Sequence, residues 1–190
     1  MVTDKFTIIS NNCWGGRCYE YFNLPKLTPT VGAYFYAEDY LKFCSNLKYY
    51  LGIPLVVNKA TYSKRFESLK NKGEEDVLVG FLDDVEIVFL HYYDEETIIS
   101  KWNRRIERIN WNNIILKFSY QNECSKKIIE EFLKIKDYSK FVLVGKHITN
   151  DKDEIVYGRS HGYETVDETE NFNKYIKPLE VLNKRLRESE

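Results

Sequence analysis

Short apolar runs alternate with amphipathic segments along most of the chain. The runs are rich in β-branched and aromatic residues and are bounded by turn residues, which predicts buried strands. These strands cover residues 6–10, 31–35, 55–57, 77–82, 85–91, 113–118 and 141–144. Apolar positions at helical spacing predict helices, which cover residues 18–22, 37–51, 94–109, 125–136 and 171–187. Alternation of this kind is typical of an α/β fold.

The alternation predicts a single α/β domain over residues 1–190, with a three-layer, mainly parallel, Rossmann-like sheet and helices on both faces. Asp83-Asp84 stands between two strand-like runs and predicts one β-hairpin inside that plan. The polar stretch 149–169 is interpreted as an excursion from the domain, and 171–187 as a C-terminal helix interrupted near Pro178.

Composition narrows the class of protein. The 190 residues include 28 basic and 29 acidic side chains, so the net charge of -1 predicts no nucleic-acid partner. No apolar run is long enough to span a bilayer, and no signal peptide is evident at the N-terminus. The four cysteines include no CxxC pair, which predicts reduced thiols in a cytoplasmic protein.

Metal binding is not predicted. Asp151-Lys152-Asp153 resembles the metal-binding D-x-D of many glycosyltransferases, but its context favours a turn. The three histidines lack partners at metal-ligand spacing.

The first candidate for chemistry is the segment that follows the first strand. Ligands of α/β sheets bind beyond the carboxyl ends of strands, and glycines let a ligand approach the main chain. Cys13 is the candidate nucleophile, because a thiol near a helix N-terminus can have a lowered pKa. The alternative is a tight turn with a buried cysteine. The candidate binding residues of this segment are Ser10, Asn11, Asn12, Gly15, Gly16 and Arg17.

His91 follows another predicted strand and is the candidate general base. If both strands belong to one parallel sheet, His91 and Cys13 meet at the same edge, where an imidazole could help to ionise the thiol. The alternative is a structural histidine beside a helix N-cap.

Two further segments could contact a ligand. Trp102 lies on the apolar stripe of its helix, whereas the basic residues around it predict a solvated face or, as the alternative, an anion clamp. Asn103 and Arg104 are the candidate ligand contacts there. Gln121 and Asn122 follow the strand that ends at Phe118 and suit hydroxyl recognition, with a plain helix-entry loop as the alternative.

Four motifs can be recognised along the chain. They read Ile8-Ile9-Ser10-Asn11-Asn12-Cys13-Trp14-Gly15-Gly16, Pro29-Thr30-Val31-Gly32, Phe89-Leu90-His91-Tyr92, and Lys101-Trp102-Asn103-Arg104-Arg105 with Ile109-Asn110-Trp111. Together they resemble a bacterial family that is defined as a domain of unknown function, and the resemblance extends to about Val144. Members of that family are often labelled exopolysaccharide or capsular-polysaccharide biosynthesis proteins, and sometimes acyltransferases.

The resemblance implies work on an activated sugar or a nascent surface polysaccharide. The leading hypothesis is a transferase that modifies a glycan by acyl transfer, with Cys13 as nucleophile or part of the donor site and His91 as base. The donor would be an acyl-CoA or, for the alternative of a glycosyltransferase, a nucleotide sugar. A non-catalytic sugar-binding or assembly factor is the hypothesis from another class. The oligomeric state is left open.

Overall fold

The computed structural model describes residues 6–148, 152–161, 164–166, 169 and 178–187. Its strands are β1 (Thr7–Ser10), β2 (Ala33–Tyr34), β3 (Val56–Lys59), β4 (Leu78–Leu82), β5 (Val85–Phe89), β6 (Ile114–Ser119), β7 (Ser139–Val144), β8 (Ile155–Tyr157), β9 (Ser160–His161) and β10 (Glu164–Thr165). Its helices are α1 (Trp14–Tyr21), α2 (Ala37–Ser45), α3 (Leu47–Gly52), α4 (Phe66–Asn71), α5 (Glu95–Ile106), α6 (Lys126–Leu133) and α7 (Pro178–Arg187).

A parallel sheet has the strand order β1-β6-β7-β8. Every residue of β1 and β6 is buried, which is expected for parallel strands whose two faces are both covered. The predicted α/β character is therefore confirmed. The fourth strand, β8, comes from the polar stretch 149–169, so that stretch is partly built into the sheet.

A separate antiparallel sheet has the order β2-β5-β4-β3. The predicted hairpin forms the two central strands of this sheet, β4 and β5, which pair on either side of Asp83-Asp84. Asp83 has a φ of 53°, in the left-handed region. The expectation of one sheet with the hairpin inside it was wrong. The apolar pattern failed here because a run that is buried on both sides has the same sequence signature in either kind of sheet.

A seam joins the two sheets at the carboxyl end of β1. The carbonyl of Asn11 accepts a hydrogen bond of 3.0 Å from the backbone N–H of Phe35, directly after β2. The hydroxyl of Tyr40, on α2, lies 2.8 Å from the carbonyl oxygen of Ile9 and 2.9 Å from that of Lys117. The backbone just beyond β1 is therefore held from both sheets.

One apolar core lies between the sheets and receives side chains from both of them, including Leu116 and Phe118 from β6 and Ile87 and Phe89 from β5. Trp102 on α5 is 1% exposed and meets Phe89 edge to face, with 6.5 Å between ring centroids. The prediction that Trp102 belongs to the core is confirmed.

A second cluster covers the opposite face of the parallel sheet. It joins α1, through Trp14 and Tyr19, to Phe141 of β7 and to Leu182 of α7. The predicted C-terminal helix is present from Pro178, whereas residues 171–177 of that prediction lie outside the described residues.

Two of the predicted helices differ clearly from the helices of the structure. The predicted helix 37–51 is two helices, because Asn46 leaves helical geometry with a φ of -141°. Helix α1 begins four residues earlier than expected and contains both Gly15 and Gly16. The predicted N-caps of α5 and α6 are present, since the side chains of Asp94 and Ser125 accept hydrogen bonds from the backbone of these helices.

Among the residues described, no helix is both long enough and apolar enough to cross a bilayer.

Candidate functional site: a two-part cleft

Asn11 extends the parallel sheet beyond its last paired strand residues. Its side-chain Nδ2 donates to the carbonyl of Ser119 at 3.0 Å, and its Oδ1 accepts from the backbone N–H of Ser119 at 2.8 Å. Both hydrogen bonds imitate a strand ladder. Asn11 and Ser10 are fully buried, so these two predicted binding residues lie behind the surface.

The two glycines of the first motif have different roles. A Cβ on Gly15 would meet Ile8 Cγ2 and Ser10 Cβ at 3.2 Å, so this glycine allows α1 to pack closely against β1. It does not form the ligand-binding turn that the sequence predicted. Gly16 does line a pocket, beside Val31.

Lys117 is a buried cation beneath this loop. It is fully buried in the middle of β6, and its Nζ donates to Asn12 Oδ1 at 3.0 Å and to Ser119 Oγ. The same Nζ lies 5.5 Å from the centre of the Trp14 ring. Sequence reasoning missed this residue, although a lysine inside the otherwise apolar strand Ile114–Ser119 was a usable signal.

Lys117 fixes the orientation of the side-chain amides above it. Because Asn12 Oδ1 faces the ammonium group, Asn12 Nδ2 points outward and donates to Gln121 Oε1 at 2.9 Å. Gln121 Nε2 in turn donates to the carbonyl of Thr165 at 2.6 Å. The amides of Asn12 and Gln121 are thus set in a single direction.

The loop after β6 is also held in place. Asn122 has a φ of 54°, in the left-handed region, and its side chain accepts from Lys72 at 2.9 Å and donates to the carbonyl of Phe35 at 3.4 Å. The next residue, Glu123, has a φ of 65° and is paired with Arg65. Contacts from the residues on either side of α4 and from the residue after β2 therefore stabilise a strained turn.

These residues open onto a cleft with two halves. The first, here the amide half, is a pocket of about 420 Å³ bordered by side chains that carry amide, hydroxyl and charged groups. Its polar members are Asn12, Tyr34, Lys72, Glu74, Gln121, Asn122, Glu164, Thr165 and Thr169. The second, here the cationic half, is a pocket of about 580 Å³ that includes Arg17, Lys26 and Lys101. Cys13 and Leu90 line both halves.

Cys13 lies at the junction of the two halves, directly before α1. Burial is the largest influence on this thiol and raises its pKa above the ordinary value, while the nearby charge of Arg17 lowers it in part. The expectation of a lowered pKa was wrong because burial outweighs the charges around the thiol. The Cys13 Sγ is 3.9 Å from the carbonyl oxygen of Ala33 and makes no hydrogen bond to His91 in the described structure.

His91 lines the cationic half together with Cys13, and it is exposed. It reaches this position by a different route from the predicted one, because β5 belongs to the antiparallel sheet. The backbone N–H of Leu90 donates to the carbonyl of Gly32 at 3.1 Å, which carries the end of β5 to the loop between α1 and β2. The thiol–imidazole contact itself stays a prediction.

Lys101, rather than its neighbours, faces the cleft from α5. Asn103 and Arg104, the candidate ligand contacts, are exposed and line neither half in the described structure. Arg105 is partly buried, so these two neighbouring arginines are not both buried. The helical phase that buries Trp102 sends these side chains to different sides of the helix.

The described residues contain no group of three or more His, Cys, Asp or Glu side chains that could hold a metal ion. All four cysteines are free thiols. What the cleft offers is therefore a polar surface with fixed amides, a group of cations, a thiol and an imidazole.

Comparison with known proteins identifies the family of this chain. A protein of Haemophilus influenzae, described as uncharacterized, is 27% identical over 146 residues, which are 77% of this chain and 65% of the relative. The chain thus matches less than two thirds of that relative. A family model described as a domain of unknown function, DUF1919, matches residues 1–184 and so spans both sheets and the cleft. The chain belongs to the DUF1919 family.

Proposed function

We propose that this protein is a cytoplasmic transferase of exopolysaccharide biosynthesis that modifies a sugar or glycan by acyl transfer. The observation that carries the proposal is the position of Cys13 where the two halves of the cleft meet. A nucleophile at that junction can reach a donor in one half and an acceptor in the other. The proposal includes a Rossmann-like use of the parallel sheet, since the cleft adjoins the carboxyl ends of β1 and β6.

The amide half supports recognition of sugar hydroxyls. Each amide offers both donors and acceptors, which match the dual character of a hydroxyl group. Because Lys117 and the carbonyl of Thr165 fix the directions of Asn12 and Gln121, little ordering is needed when a ligand binds.

The transfer would proceed in two steps. The Sγ of Cys13 attacks the carbonyl carbon of an acyl thioester, its proton passes to His91, and the donor thiol leaves after receiving that proton. A glycan hydroxyl then attacks the acyl-cysteine, and His91 takes the hydroxyl proton and returns it to Sγ. A base is needed because burial raises the pKa of Cys13, so little thiolate exists at neutral pH.

Two observations favour rival functions. The cations of the other half would also suit the diphosphate of a nucleotide sugar, which favours a glycosyltransferase. The fixed amides would equally suit a sugar-binding factor without turnover.

The test is to incubate the purified protein with acetyl-CoA, quench rapidly with acid and measure intact mass. We expect an acetyl adduct on Cys13 that is absent in Cys13→Ala and forms more slowly in His91→Ala. Cys124→Ser is the matched control, because Cys124 is the other partly exposed thiol, lines neither half of the described cleft, and has a pKa that burial raises to about 12. That variant should acylate normally.

Thiol labelling gives a second measurement, made in the Cys124→Ser background. Iodoacetamide should modify Cys13 slowly at neutral pH and faster as the pH rises, and His91→Ala should slow labelling further. Arg17→Gln should also slow it, since removing a positive charge raises the pKa of Cys13 again. No adduct, with labelling unchanged in His91→Ala, would refute acyl transfer; stabilisation by a nucleotide sugar would then support the glycosyltransferase.

A further inference from the structure

The cationic half contains more positive than negative side chains. Arg17 comes from α1, Lys26 from the loop that follows it, and Lys101 from α5. Glu20 is the one carboxylate among the described residues that line this half. Three cations against one carboxylate, gathered from three segments into one concavity, attract an anion.

Glu20 holds two of these cations in place. Its carboxylate lies 3.1 Å from Arg17 Nη1 and 2.7 Å from Lys26 Nζ. Hydrogen bonding to Lys26, followed by the contributions of Arg17, lowers the pKa of Glu20, so it is ionised at neutral pH. All three side chains remain substantially exposed, which makes these pairs weak enough to exchange for a ligand.

Lys101 packs against Tyr92, whose position is fixed by hydrogen bonds. Its Nζ lies 5.0 Å from the centre of the Tyr92 ring. The Tyr92 hydroxyl donates to the carbonyl of Val31 at 2.7 Å and accepts from Arg105 Nη1 at 2.8 Å. The lysine therefore reaches the cleft from a platform that is tied to both α5 and the loop before β2.

Two glycines contribute backbone to the wall of the cationic half. Gly16 is buried beside Val31, whereas Gly32 is partly exposed. Gly32 has a φ of +72°, and a Cβ there would meet Tyr92 Cε2 at 2.9 Å, so a side chain at this position would be strained and would clash with the platform. A polyanion can thus approach the main chain at Gly32.

We propose that the cationic half is a subsite for the diphosphate group of the donor. This inference rests on the proposed function, because it assigns the donor to the half of the cleft opposite the amides. A diphosphate presents several anionic oxygens, so it can contact cations on both sides of the pocket at once, which a single carboxylate cannot do. The group is shared by acyl-CoA and nucleotide sugars, so either could be its source.

The test is titration calorimetry of the full chain with inorganic pyrophosphate at low salt. Binding to Lys101→Gln should be about three- to ten-fold weaker, since one charged contact is lost. Arg104→Gln is the matched control, because Arg104 lies one turn further along the same helix and does not line the cleft. Glu20→Gln should bind about two- to five-fold more tightly, because it removes the competing carboxylate.

Binding should also weaken as sodium chloride is raised. Equal dissociation constants for Lys101→Gln and Arg104→Gln, no gain in Glu20→Gln, or no pyrophosphate binding at all would each overturn the subsite. Coenzyme A and a uridine diphosphate sugar then identify the source: the true donor should bind more tightly than pyrophosphate and lose affinity in Lys101→Gln. If neither is weakened by that substitution, the inference is wrong.

A small thioester without phosphate separates this inference from the proposed function. S-acetyl-N-acetylcysteamine should acylate Cys13 slowly in the wild type and equally in the control Arg104→Gln, provided that acyl transfer is correct. Acylation by this compound without pyrophosphate binding would reject the subsite alone. Pyrophosphate binding that depends on Lys101, without any acylation, would reject acyl transfer alone.

Discussion

The two sheets bury polar groups in different ways. At the carboxyl edge of the parallel sheet, the buried cation Lys117 donates to an amide and a hydroxyl, those of Asn12 and Ser119. Beside the antiparallel sheet, the buried carboxylate of Asp39 meets two cations, Lys64 at 2.6 Å and Arg65 at 3.2 Å. One region thus orients neutral dipoles, whereas the other neutralises charge.

The difference separates polar groups that border the cleft from polar groups that support the chain. Amides oriented by Lys117 still have directions open to the cleft, where Asn12 and Gln121 both lie. The charge of Asp39 is neutralised inside the protein by Lys64 and Arg65. These ion pairs hold the start of α4 against α2. Arg65 extends that support to Glu123, next to the cleft.

The largest effect should come from the core that both sheets share. Trp102→Ala should lower the free energy of unfolding by about 3–5 kcal/mol, because a fully buried aromatic ring is removed from beside Phe89. Urea denaturation followed by circular dichroism measures it. The control is Trp111→Ala, since Trp111 is 39% exposed and should cost less than about 1 kcal/mol. Similar losses for both would show that the sheets do not depend on this core.

A smaller loss of stability is expected when Lys117, which lies beneath the amides of Asn12 and Gln121, is replaced. Lys117→Met keeps most of the buried volume and removes the charged donor to Asn12 and Ser119, which should cost about 1–3 kcal/mol. The side-chain amide resonance of Gln121 should also shift in NMR spectra, because Asn12 Oδ1 loses its charged donor and keeps the neutral donors Ser10 Oγ and the backbone N–H of Trp14. Lys48→Met, at an exposed position of α3, is the control and should do neither. An unchanged Gln121 resonance would contradict an orienting role for Lys117.

The smallest effect should come from the charge pairs of the other region. Asp39→Asn should cost about 1 kcal/mol, because Lys64 can turn to water, Arg65 keeps its pair with Glu123, and the amide keeps a hydrogen bond. The loss should shrink at high salt. Glu38→Gln, on the same helix, is the control: Glu38 is exposed and 3.6 Å from Arg65, so its change should be within about 0.5 kcal/mol. If Asp39→Asn lowered the free energy of unfolding as much as Lys117→Met does, the contrast between the Asp39 and Lys117 regions would be wrong.

The sequence predicted most of the helices and strands and several residues that border the cleft. It did not predict how the strands are divided between two sheets. Apolar periodicity identified α5 and the burial of Trp102, because a helix with one buried face leaves a clear repeat. Apolar periodicity could not assign strands to sheets. A strand such as Val85–Phe89, which is buried throughout, has no pattern that indicates which strand it pairs with.

Within the site, residues beyond strand ends were the best guide. Asn12, Cys13 and Gln121 line the cleft as predicted, since the carboxyl ends of β1 and β6 meet there. Lys117 was missed because its role depends on a neighbour 105 residues away. Asn103 and Arg104 do not line the described cleft, because helical phase identifies the buried face of α5 and not which of its outward residues borders a pocket.

The seam at Asn11 has a consequence for the dynamics of the cleft. Its carbonyl bonds to Phe35 and its side chain bonds to both backbone groups of Ser119, so one residue of the parallel sheet also holds the chain that follows β2, behind the cleft. Separating the two sheets at this point would break the bond to Phe35 and expose the shared core, whereas the two bonds to Ser119 lie within the parallel sheet. The amide proton of Phe35 should therefore exchange with solvent only when the shared core opens. Adaptation to the ligand that we propose would then fall to the side chains at the surface of the cleft.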